Sequence, residues 1–152
     1  MIEAYRVATL VDTNILVYRC DPRDPVKRAA ALEVLRAGEV SGDLRIPHQS
    51  LVEFVNSVTR VRGQSAPLMT LADATRQAEL FMVQFPVLYA NEHVFRMALY
   101  GMATYRLPWF DAHLWAYAEH YGLPEILSED FEHGRRYGTV RIRNPFLIPG
   151  AA

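Results

Sequence analysis

The stretch ATLVDTN, residues 8–14, decides the fold. Ala8–Asp12 is an apolar run that halts at an acid, as a buried strand does at its carboxyl end. The next residues, TNILVYRC (13–20), read as a short helical segment. DPRDPVKRAAALEVLRAG (21–38) offers Asp24 and Pro25 as cap and first-turn residues. Val26, Ala29, Ala30, Leu32 and Leu35 then follow at helical spacing, and Gly38 is expected to close the helix.

The same alternation continues outward along the chain. LRIP (44–47) is a short strand, and SLVEFVNSVTRV (50–61) places Leu51, Phe54, Val55, Val58 and Val61 on one helical face. GQSAP (63–67) is the clearest loop. Helices are expected over 71–85, 92–105 and 109–122, and strands over 86–90 and 125–130. GTVRIRNPF (138–146) alternates Val140 and Ile142 with Arg141 and Arg143, the pattern of a half-exposed edge strand. Strands alternating with helices give an α/β chain with a largely parallel sheet. Ligands of such sheets bind beyond the carboxyl ends of strands, where strand order reverses. Asp12 and Asp130 end predicted strands at that edge.

Length and composition narrow the function classes. A chain of 152 residues, 51% of them hydrophobic, is read as one domain spanning 1–152 with its core at about 8–146. The opening MIEAYRVATLVD has no signal-peptide pattern, and no apolar run of membrane-spanning length occurs, so a cytoplasmic protein is expected. Cys20 is the sole cysteine, which excludes internal disulfides and CxxC metal sites. Lys27 is the one lysine beside fifteen arginines, whose forked guanidinium groups match phosphate oxygens in pairs. A GC-rich coding sequence explains the same bias, and the two explanations are compatible.

Four acids stand out, and each has an ordinary structural explanation. Asp12 suits the N-cap of the following helix. Ser50-Leu51-Val52-Glu53 has capping-box spacing. Asp111 falls in a first helical turn, where the helix dipole favours an acid. Asp130 belongs to a polar turn, and its neighbours Glu129 and Glu132 read as solvated surface. The set says more than its members: two acids at strand ends and two at helix starts can meet at one sheet edge. Converging carboxylates repel unless a cation intervenes, and oxygen-rich sites suit Mg²⁺ or Mn²⁺. Such ions activate water and clamp the oxygens on phosphorus. Net charge is −1 with these four acids and +3 for the remainder, reasonable for a nuclease.

LVDTNILVY, IPHQSLVEFVNSVTR and LPWFDAHLWAYAEHYGLPEILSEDF, in this order, resemble the PIN-domain ribonucleases, particularly the toxins of VapBC-type toxin–antitoxin modules. The likeness runs from about Thr9 to Phe146. It implies a three-layer α/β/α fold with a mostly parallel sheet of four or five strands, in which the first and fourth are neighbours. It implies Asp12, Glu53, Asp111 and Asp130 as catalytic metal ligands, with Asn14 and Ser128 as supports behind them. It also implies cleavage of RNA, homodimerisation and inhibition by a small antitoxin. The chain departs from many relatives in carrying Glu132 where a second aspartate is common, and Ser128 where threonine is common.

The remaining candidates are weighed beside it. Arg135 and Arg136 could grip RNA phosphates at a rim, or be solvated surface. The five histidines form no metal set; His113 and His120 lie two turns apart. Tyr100, Met102 and Tyr105 could form a dimer contact. An aspartyl-nucleophile phosphatase would place an aspartate at position 14, where this chain has Asn14. A degenerate module of this fold, binding RNA or protein without turnover, would tend to lack some of the four acids.

Overall fold

The computed structural model describes residues 8–147, so the ends of the expected 1–152 domain and most of the opening segment lie outside the described residues. Six strands form one sheet: β1 (Thr9–Val11), β2 (Leu44–Pro47), β3 (Val87–Leu88), β4 (Glu125–Leu127), β5 (Arg136–Tyr137) and β6 (Val140–Arg143). The order is β3-β2-β1-β4-β6-β5, and every pairing except β5 with β6 is parallel. The six helices among these residues are α1 (Thr13–Cys20), α2 (Pro25–Ser41), α3 (His48–Thr59), α4 (Leu71–Gln84), α5 (Glu92–Tyr105) and α6 (Trp109–His120). The fold is the three-layer α/β/α arrangement expected, with one strand more than the upper expectation.

The two central strands, β1 and β4, are buried on both faces. Leu10 and Ile126 enter the core beneath α5 and α6, whereas Val11 and Leu127 enter the core beneath α1 to α4. That two-sided burial makes β1 and β4 continuous apolar runs, as parallel strands require. In β6, Val140 and Ile142 are buried while Arg141 and Arg143 are exposed, so the alternation is as expected. The strand is nevertheless not the edge, because the short β5 pairs along its outer side.

Two local readings are corrected. Gly38 does not close α2; the helix runs on to Ser41 and ends at Gly42, whose φ of 75° is the left-handed conformation glycine adopts readily. Gly38 is instead a contact point, since a Cβ there would collide with Leu44 of β2. The Ser50–Glu53 capping box does not form either. Helix α3 starts at His48, directly from β2, and Ser50 lies one turn inside it, donating Oγ to the Val11 carbonyl at 3.0 Å. The capping pattern was right in spacing but displaced by the chain's abrupt turn from strand to helix.

Helices α5 and α6 pack closely because Gly101 leaves room for the Trp115 indole. An added Cβ at Gly101 would come within 2.7 Å of Trp115 Cε3. The indole is itself held by its Nε1 donating to the Tyr137 carbonyl at 2.8 Å, so it has little freedom to retreat. Gly101→Ala is therefore expected to destabilise the protein by about 1–2 kcal/mol: overpacking costs about 1–3 kcal/mol, and the helix-propensity gain offsets up to about 1 kcal/mol. Urea unfolding measures this, and a variant as stable as the parent contradicts the close packing.

Candidate metal centre

Strand order reverses between β1 and β4: the chain builds β2 and β3 on one side of β1, then crosses to build β4 on the other. A crevice opens at the carboxyl ends of these two strands. Val11 pairs with Leu127, and the Asp12 amide donates to the Leu127 carbonyl at 3.0 Å. The next residue of each strand therefore enters the crevice: Asp12 after β1 and Ser128 after β4. Both are buried, and Ser128 Oγ donates to Asp12 Oδ2 at 2.6 Å. Asp12 also serves as the cap of α1, with Oδ1 accepting the Thr13 amide at 2.6 Å. The cap uses Oδ1, and Oδ2 faces Ser128 and Asn14.

The other expected residues gather around this pair. Asn14 Nδ2 donates to Asp12 Oδ2 at 3.2 Å and to Asp130 Oδ2 at 3.1 Å, bridging two acids. Ser128 Oγ accepts the Asp130 amide at 3.0 Å, which shapes the turn after β4. Glu53 reaches in from α3: its Oε2 accepts from Thr13 Oγ1 at 2.7 Å and its Oε1 from Gln49 Nε2 at 2.8 Å. Asp111 stands half-buried in the first turn of α6.

Electrostatics link the acids in overlapping sets: Asp12 feels Asp130 and Asp111, and Asp111 feels Asp130 and Glu53. Asp12 is pushed up from 3.8 to about 7, chiefly by burial, with the charges of Asp130 and Asp111 adding and the bonds from Ser128 and Thr13 opposing. Asp111 is pushed up from 3.8 to about 6 by burial, then by the charges of Asp130 and Glu53. Uncompensated carboxylates held this way favour a cation or a proton. Among the described residues, no three acid, histidine or cysteine side chains are already gathered about one point as a ready-made cation site. The donor set still fits a hard divalent ion, since every side chain is a carboxylate. Asn14 Oδ1 is buried with no partner, a further free oxygen at the same place.

A cleft of about 440 Å³ opens over Glu53 and Asp130. Its walls include Arg23, Arg60 and Arg62, not the expected Arg135 and Arg136. Arg23 is committed to Asp21 at 2.8 Å, while Arg60 and Arg62 are exposed and have no acidic partner among the described residues. Arg135 lies on the hairpin beyond Asp130, paired with Glu132 at 3.2 Å and stacked over Tyr137. Arg136 is exposed in β5. Glu132 is exposed on the same hairpin, facing Arg135. Glu129 is not solvated surface: Lys27 Nζ holds it at 2.7 Å. Sequence reasoning also missed Thr13 as the partner of Glu53; its place between Asp12 and Asn14 was the available signal. His133 Nδ1 accepts the Asn144 amide at 3.0 Å, while His48 and His113 line a cavity that Glu53 also lines.

Residues 9–138 match the sequence profile of the PIN domain. No curated protein sequence matches the chain. Among solved structures, a toxin–antitoxin complex from Klebsiella pneumoniae is similar with a TM-score of 0.67 and 16% identity, covering 93% of this chain and 100% of that one. VapC20 of Mycobacterium tuberculosis, described as a sarcin–ricin loop cleaving toxin, gives 0.62 and 14%, covering 81% and 90%. FitAcB from Neisseria gonorrhoeae gives 0.63 and 15%, covering 92% and 99%. At such identities the likeness is one of fold.

The raised pKa of Asp12 has a measurable sign. Its folded value of about 7 exceeds its ordinary 3.8, so the protonated carboxyl favours folding. That contribution is complete below 3.8 and is lost as pH rises through about 7. In EDTA, Asp12→Asn is expected to melt above the parent at pH 8, with a smaller advantage at pH 5. Calorimetry at both pH values tests this; an advantage that does not grow with pH contradicts the burial of a strained carboxylate.

Proposed function

The chain belongs to the PIN domain family, and from that footing we propose that it is a metal-dependent endoribonuclease, the toxin of a pair whose other member is a small antitoxin. The observation that supports this reading is the hydrogen-bonded set of Asp12, Asn14, Ser128 and Asp130 at the carboxyl ends of β1 and β4, with Glu53 held to it through Thr13 and Asp111 feeling the charges of Asp130 and Glu53. These four would hold Mg²⁺ or Mn²⁺. When bound, such an ion would supply charge neutralisation at phosphate oxygens and a lowered pKa for the attacking water. The chain's own residues supply the positioning. Ser128 fixes Asp12 relative to the turn that carries Asp130, Asn14 spans both acids, and Thr13 with Gln49 orients Glu53. No side chain is needed as a covalent nucleophile.

Arg60 and Arg62 would grip the phosphodiester chain where it enters the cleft, by the paired hydrogen bonds guanidinium groups make to phosphate. Arg135 and Arg136 would form an outer rim of smaller effect, since Arg135 already faces Glu132. The toxin role rests on similarity to the VapBC and FitAB proteins, and the antitoxin is proposed on the same ground. A homodimer is proposed through α5, where Phe95, Leu99, Tyr100 and Met102 are exposed apolar residues. Tyr105 turns inward against Trp115 and Tyr137, so it would not take part as the sequence suggested. Among the described residues, no helix is long and apolar enough to cross a membrane, in keeping with the cytoplasmic location proposed.

Two outcomes test the reading. Asp12→Asn or Asp111→Asn is expected to lower Mg²⁺- or Mn²⁺-dependent RNA cleavage on the order of a thousandfold, the scale of losing several kcal/mol of ion-derived stabilisation. Full-rate cleavage by either folded variant rules the mechanism out, and parent protein with no divalent-dependent turnover on any RNA indicates a binding module. Arg60→Ala with Arg62→Ala is expected to weaken RNA binding and to reduce the salt slope by about 0.7 per lost phosphate contact. An unchanged slope removes these arginines from the RNA path.

A further inference from the structure

Phe110 is 64% exposed, yet it stands immediately before Asp111 in the first turn of α6. Its ring is open to solvent beside the acids and free to stack on a flat apolar group. Phe110 and His113 of α6 face His48, Gln49 and Val52 of α3 across a cavity of about 290 Å³. Glu53 lines both this cavity and the arginine-walled cleft, so the two spaces meet at a candidate metal-binding residue. Trp109 supports the wall from behind, packed edge-on against His113 with ring centroids 4.2 Å apart. The cavity surface is therefore largely apolar, rich in aromatic rings, and shares Glu53 with the acid centre.

Its polar atoms are defined as well. His113 Nδ1 lies 3.1 Å from the Trp109 carbonyl and must donate to it, which leaves Nε2 as the ring nitrogen open to a ligand. Gln49 spends its Nε2 on Glu53 Oε1 at 2.8 Å and on the Phe110 carbonyl at 3.1 Å, which leaves Oε1 free to accept. Aromatic faces beside a free acceptor suit a planar ring with N–H groups on its edge. A nucleobase has that chemistry, and in a bound strand it sits one sugar away from the phosphate that the acids would engage.

We propose that this cavity is a nucleobase subsite, which takes one unpaired base of the RNA strand by stacking on Phe110 and presents His113 and Gln49 to the base edge. The proposal rests on the ribonuclease reading for its location, and it makes the substrate single-stranded at this nucleotide. A base paired in a helix cannot enter without leaving its stack. Phe110 is a specificity residue here, since it would touch the substrate but no reacting atom.

The test uses the full chain and short single-stranded RNAs with 2-aminopurine at successive positions. Binding is followed in EDTA by fluorescence, separately from cleavage with Mg²⁺ or Mn²⁺. The parent is expected to quench 2-aminopurine strongly at one position. Phe110→Ala is expected to abolish that quench, to weaken binding about tenfold, and to lower kcat/KM to a similar extent. The exposed ring leaves the fold of this variant intact, and Val83→Ala, an exposed apolar site on α4, serves as control. Unchanged affinity and quench in Phe110→Ala overturn the subsite. Escape of that variant from antitoxin inhibition with unaltered RNA binding assigns the cavity to a protein partner and overturns it too. Position-specific quenching by a parent that never cleaves RNA sustains the subsite while the hydrolytic reading fails.

Discussion

The structure turns on a buried hydrogen bond, Ser128 Oγ to Asp12 Oδ2, between residues 116 positions apart. Parallel pairing of β1 with β4 brings them side by side, and the bond then decides what the pair can do. An ionised carboxylate taken out of water is costly unless donors surround it. Ser128, the Thr13 amide and Asn14 are those donors, and they offset only part of the cost, because Asp12 still favours its proton. The cost left over is electrostatic, and a positive charge placed near Asp12 would lower it.

Much of this was legible along the chain, and the reasons are physical. The apolar runs of β1 and β4 read clearly because both faces are buried. Helix α5 was predicted at its observed limits because Asn91 caps it and its buried residues keep helical spacing. Asp12 and Asp130 showed themselves as the polar breaks that follow β1 and β4. What did not show was set by tertiary contact. Ser50 looked like a cap until β2 ran straight into α3 and carried it past the helix start. Gly38 looked like a terminator because only the packed partner, Leu44, reveals its other use. Arg60 and Arg62 gave no local signal: they follow α3 into a turn, and only the fold hangs that turn over the cleft. Arg135 and Arg136, close to Asp130 in sequence, are carried outward by the β5–β6 hairpin.

The acid centre thus has two unlike neighbours. On one side stand cationic side chains suited to a charged backbone; on the other stand ring faces suited to flat, weakly polar groups. Nucleic acid is a polymer with that same division between phosphate and base. Helix α3 organises both sides, since Glu53 separates them and Asn56 lines one while Val52 lines the other. A rotation of α3 would change both neighbours together, and its anchor against such rotation is the Ser50 bond to β1.

Lys27 ties the second helix to the turn that carries Asp130. Its ammonium meets Glu129, the Tyr18 hydroxyl and the ring faces of Tyr18 and Phe146. It is also the sole lysine of the chain. Acylating reagents selective for ε-amines therefore have one side-chain target in the whole protein, and that target neutralises the acid next to Asp130. The bond to Glu129 holds that amine in its protonated form, so the one ε-amine of the chain is slow to acylate for as long as the link between α2 and the turn is intact.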